Sequence, residues 1–133
     1  MERNKRDKGE FYLRRWGQAI TEMERLQKEI SNLKKGNYFF KDIYLDDKRD
    51  IEECYLDILY DKKTKLRKII KDYKIVDDLV QNLELYQQEM LKLRYRQKKS
   101  WQAIALNVHV SARQCFNIKN KVIKEILENV ENE

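Results

Sequence analysis

The stretch Ser100-Trp-Gln-Ala-Ile-Ala-Leu-Asn-Val-His-Val-Ser111 decides the fold. Ser100 is a good N-cap residue, and Trp101, Ile104 and Ala105 follow at the spacing of one helical face. Ala105 is small enough to let a second helix cross closely. Asn107-Val108-His109-Val110 reads as a tight turn, after which Ser111 caps the next helix. Cys115, Ile118, Val122 and Ile126, with neighbouring Phe116, give that helix an inner side. Two helices joined across so short a turn form a helix-turn-helix unit, in which Trp101 belongs to the core.

Charge marks the same region independently. From Lys92 to Lys124 there are nine basic residues and no Asp or Glu, in a chain of 133 residues with net charge +6. A solvated helix surface usually mixes signs, because opposite charges at i,i+4 stabilise it. An acid-free window of this length points to a polyanionic partner.

Working outward, the rest of the chain also reads as helix. There is no proline, and the three glycines all lie in the first 36 residues, which excludes turn-rich β folds and glycine-rich phosphate loops. Leu13, Trp16, Ile20, Met23, Leu26, Ile30 and Leu33 predict a helix from about Glu10 to Lys35, with residues 1–8 frayed and Gly36-Asn37 as its stop. Asn37–Arg49 reads as either a connector or a short strand-like segment. A second helix is expected from Asp50, an N-cap with Glu53 three residues on. Its stripe is Ile51, Cys54, Tyr55, Ile58 and Leu59, resuming from Leu66 to Leu83 after a break or wet turn at Asp61–Thr64. Glu84 to Gln97 forms a further helical segment. The expected fold is all-α. Long N-terminal helices pair as a hairpin or bundle in residues 1–82, and residues 83–133 form the helix-turn-helix domain.

The motifs Leu91-Lys-Leu-Arg-Tyr95, Ser100-Trp101, Ile104-Ala105 and Val108-His109-Val110-Ser111 resemble region 4 of bacterial sigma-70-type factors. They are more similar still to the small phage transcription regulators of the RinA and ArpU type, over about Leu83 to Leu127. The usual turn glycine of those families is His109 here, at a position that generally needs φ > 0. Nothing in residues 1–80 resembles a promoter-melting region, so the resemblance does not extend to a whole sigma factor. It implies a sequence-specific DNA-binding transcription regulator of phage or prophage origin. A small-terminase-like packaging protein and a helical factor binding RNA polymerase are the alternatives.

If the unit docks as such modules do, the helix of about residues 111–127 enters the major groove of double-stranded DNA. Its outward residues Ala112, Arg113, Gln114, Asn117, Asn120 and Lys121 are then the base contacts. Arg reads guanine, Gln and Asn read adenine, and Ala112 meets a thymine methyl. Lys98, Lys99, Ser100, Ser111, Lys119 and Lys124 are expected on phosphates. Residues 1–82 are expected to form a homo-oligomer or to bind RNA polymerase.

No catalytic, metal or cofactor site is expected. His109 is the single histidine, Cys54 and Cys115 are far apart, and the acidic pairs Asp46-Asp47, Glu52-Glu53 and Asp77-Asp78 are adjacent residues that diverge on a helix. The start Met-Glu-Arg-Asn-Lys-Arg-Asp-Lys lacks an apolar run, and no run approaches the ~20 residues of a membrane span, so a cytoplasmic location is expected.

Overall fold

A computed structural model describes residues 3–43 and 48–131, with side chains at 3–36 and 52–131. The order is α1 (Arg3–Ile43), α2 (Lys48–Gln81), α3 (Leu85–Tyr95), α4 (Trp101–Val108) and α5 (Ala112–Glu131). The fold is all-α, with no strand among the described residues. No helix is long and apolar enough to cross a membrane, again among the described residues.

The two long helices overrun the stops expected of them. α1 begins at Arg3 rather than Glu10 and passes through Gly36 to Ile43. A single glycine inside a helix costs only about 1 kcal/mol, and no proline reinforces it. The expected connector or strand at 37–49 is therefore helical up to Ile43 and again from Lys48, while residues 44–47 lie outside the described residues. Asp50 falls inside α2, which starts at Lys48, so it is not the N-cap. Asp61–Thr64 causes no break either: α2 runs through it unbroken, with Lys65 bridging back to Asp61 at 3.1 Å one turn earlier.

The chain divides into two compact units. One comprises the described residues up to Ala19 and from Lys71 onward; the other is Ile20–Ile70. Within the first unit, α3, α4 and α5 surround a core of Met90, Leu91, Ile104, Cys115, Ile123 and Ile126. Leu13 and Trp16 from α1, and Val76 and Val80 from α2, complete the same core. The division at 82/83 drawn from the sequence thus runs through a packed cluster. Burial of these apolar side chains supplies the driving force for the unit. Arg15 bridges to Asp72 at 3.1 Å, and Trp16 Nε1 donates to Asp77 Oδ1 at 3.1 Å.

In the unit Ile20–Ile70, Lys62 Nζ lies 2.8 Å from Glu29 Oε2, and Arg25 bridges Glu22 and Glu29 along α1. The Lys62 hydrogen bond holds the Glu29 carboxyl below the usual carboxylate range. Leu26 is buried and Met23, Ile30, Leu33, Tyr55, Leu59, Leu66 and Ile69 are half-buried, but Ile20, Cys54, Ile58 and Ile70 of the stripe expected to be core are exposed. Outside that stripe, Leu56 and Tyr60 are 58% and 70% exposed.

Candidate nucleic-acid interface

The helix-turn-helix unit is built by local capping. Ser100 Oγ accepts from the Ala103 N–H at 3.2 Å, starting α4. α4 ends where His109 enters the left-handed region at φ 60°, ψ 39°. The Val110 N–H then turns back to the Ala105 carbonyl at 3.2 Å. This αL residue after the last helical turn satisfies a carbonyl that would otherwise be orphaned. The conformation anticipated for the turn glycine is thus taken up by His109. Ser111 opens α5 with a reciprocal cap: its Oγ accepts from the Gln114 N–H at 3.1 Å, and Gln114 Oε1 accepts from the Ser111 N–H at 3.3 Å.

Trp101 holds the unit together from inside. It is buried, its ring centroid lies 5.4 Å from that of Phe116, and the Arg94 guanidinium sits 5.1 Å above it. Arg94 Nη1 also donates to the Lys99 carbonyl at 3.0 Å, closing the α3–α4 loop. Lys98 in that loop has φ 57°, a second left-handed residue that the sequence reading did not flag. Cys115 is a fully buried free thiol, and burial raises its pKa.

The expected contact residues divide by accessibility. Arg113, Gln114, Asn117, Lys121 and Lys124 are exposed on α5, and Lys98, Lys99, Ser100 and Ser111 are exposed around it. Arg113, Asn117 and Lys121 stand four residues apart, on one stripe of the helix. Gln114 is exposed, but its amide oxygen is engaged in the cap. Ala112 is half-buried.

Two expected contacts are corrected. Asn120 is half-buried, with Oδ1 sealed from solvent and without a hydrogen-bond partner, so it does not present the amide oxygen that two-point adenine readout needs. Lys119, expected on a phosphate, is only 8% exposed. Its Nζ lies 2.9 Å from Glu10 Oε1 and over the Phe116 ring at 5.0 Å. The lysine's position on the inner side of α5 commits it to the fold.

The partner of Lys119 was missing from the sequence reading. Glu10 also accepts from the Tyr95 hydroxyl through Oε2 at 2.9 Å. Burial, and then the Glu10 charge, push the Tyr95 phenol well above its ordinary pKa. Gln18 adds a bond to the Tyr95 carbonyl at 3.2 Å. Arg6, Glu10, Arg14 and Gln18 recur every four residues along α1, and this periodicity was the available signal. Together with Arg94, Lys98 and Lys119 they line an open cleft of about 890 Å³.

Residues 44–128 match the model of a family described as a protein of unknown function (DUF722). That span is well over half of the chain. The chain belongs to the DUF722 family. The DUF722 region reaches from just before α2 to Glu128 near the end of α5, and so includes the whole helix-turn-helix. α1, with Glu10 and its neighbours, precedes the DUF722 match. No curated relative and no solved structure matches the chain. Among the described residues, no group of three or more His, Cys, Asp or Glu side chains gathers as a metal site.

Proposed function

We propose that this chain is a sequence-specific DNA-binding transcription regulator of phage or prophage type. In this reading α5 lies in the major groove, with its N-terminal half against base edges. The observation that carries it is the exposed stripe Arg113, Asn117 and Lys121 on a helix introduced by a capped, left-handed turn, within a window that holds no acid.

The chemistry suits base readout. Arg113 has the fork that matches guanine O6 and N7, and Asn117 the amide that matches adenine N6 and N7. Lys98, Lys99 and Lys124 are exposed cations suited to phosphates, which supply affinity without sequence information. Gln114 serves first as the cap of α5 and only secondarily as a base contact. Residues Ile20–Ile70 carry the second half of the reading. Their exposed Leu56, Ile58 and Tyr60 support self-association or docking on RNA polymerase.

Selection of bound duplexes from a random pool, repeated at several salt concentrations, tests the proposal. A recovered motif supports it, and two spaced half-sites would add dimeric binding. Recovery of random sequence would overturn sequence specificity. A solution mass corresponding to a large ring would favour the packaging-protein alternative.

A further inference from the structure

α1 lies outside the DUF722 match, yet it is seated tightly against the helix-turn-helix. A Cβ at Gly9 would collide with the Ile123 side chain of α5, and one at Gly17 with the Tyr95 carbonyl of α3. Only glycine permits α1 to approach both helices so closely. This seating turns the stripe Arg6, Glu10, Arg14 toward the cleft beside α5.

The charge there is one-sided. Five cations and two carboxylates line the cleft. One of the carboxylates, Glu10, is already bonded to Lys119 and Tyr95. Asp7 is left against Arg6, Arg14, Arg94 and Lys98. Arg6, Arg14 and Lys98 are exposed, and no ion pair engages them among the described residues. Phe116 of α5, adjacent in sequence to Asn117 and 42% exposed, also lines the cleft.

We propose that Arg6 and Arg14 of α1, with Lys98, form a second phosphate-binding track for the DNA strand flanking the groove that α5 occupies. The inference rests on the proposed DNA-binding function and extends its footprint to a helix that is not part of the helix-turn-helix. A helix in the major groove has a sugar–phosphate strand on each side, and duplex DNA carries one negative charge per ~1.7 Å of axis. A cationic cleft adjoining α5 meets that charge. Arg6 and Arg14 stand two turns apart on one stripe of α1, about 12 Å along its axis, a spacing suited to two separate backbone phosphates rather than to base edges.

The test uses the full chain and two duplexes of about 30 base pairs, three helical turns. One duplex carries the selected sequence and the other a scramble. For R6A/R14A, the slope of log affinity against log salt should fall by about 1.8 on both duplexes, 0.9 for each lost phosphate contact. The preference between the duplexes should stay unchanged. R6K/R14K should retain the wild-type slope. An unchanged slope in R6A/R14A overturns the inference while leaving the proposed function intact. So does a slope lost equally in R6K/R14K, because that would make the arginines structural. Failure of the wild-type chain to bind either duplex overturns the proposed function and the inference with it.

Discussion

Lys119 and Glu10 form an ion pair at 2.9 Å that ties the proposed DNA-reading helix to the first helix of the chain. The ammonium is nearly buried over two aromatic rings, and the other oxygen of Glu10 accepts from Tyr95. A charge in such a place is tolerable only while its partner is present. The helix-turn-helix therefore depends on α1 for its integrity.

Replacing Glu10 by Ala should accordingly cost about 3 kcal/mol, because it strands the Lys119 charge and the Tyr95 hydroxyl together. Urea denaturation followed by tryptophan fluorescence measures it. Removing both charges in E10Q/K119M should recover most of the loss. A cost of about 0.5 kcal/mol, the range of an ordinary surface change, would show that the pair does not hold the unit.

His109 occupies a left-handed conformation that costs a side chain about 1–2 kcal/mol. His109→Gly should raise stability by about 0.5–1 kcal/mol, since glycine's extra unfolded-state freedom returns part of the gain. His109→Val, with a branched Cβ, should lower stability by at least as much. Thermal melts of the two variants should therefore move in opposite directions. A shift in the same direction would mean that strain at the turn is not the governing effect.

The two close approaches of α1 differ in what they meet. At Gly17 an added methyl meets the backbone of Tyr95, which cannot step aside; at Gly9 it meets the Ile123 side chain. Overpacking usually costs about 1–3 kcal/mol. Gly17→Ala should fall at or above the top of that range and Gly9→Ala lower within it, as read by denaturant midpoints. Equal, small effects would place α1 further from α3 than described.

Tyr95 gives a pH signature. Its phenol is raised in the folded chain by burial and by Glu10, while in the unfolded chain it titrates near 10. A group with a raised folded pKa contributes its full stability below the unfolded value and loses it as pH rises beyond. Stability should thus decline above about pH 10, and Tyr95→Phe should flatten that decline. Denaturant midpoints between neutral and strongly alkaline pH provide the measurement. An equal decline in both proteins would assign it to other groups.

The parts of the fold legible in the sequence are those set by neighbours in sequence. Ser100 and Ser111 cap the helices that follow them, and the intervening turn takes its left-handed residue at the position where glycine was missed. These are interactions across three or four residues, and a residue string encodes them directly. The same local logic failed at Gly36 and Asp50, where stop and cap residues sit inside continuous helices. Lys119 was misjudged for a different reason. It is covered where α1 packs against α5, through Gly9 on Ile123 and Glu10 on Lys119, and helical spacing alone carries no record of that contact. Residues such as Ile20 and Ile58 fall at core-like intervals but are exposed, because periodicity marks an apolar face without naming what covers it.

The most direct test of base readout by α5 compares wild type, Arg113→Ala and Lys99→Ala on the selected duplex and on a scramble, across a salt series. Arg113→Ala should lose about 1–3 kcal/mol on the selected duplex and almost nothing on the scramble, with relaxed preference at one base pair. Lys99→Ala should weaken both duplexes alike and lower the salt slope by about one. Equal losses on both duplexes for Arg113→Ala, or a wild-type chain without preference between them, would contradict the account.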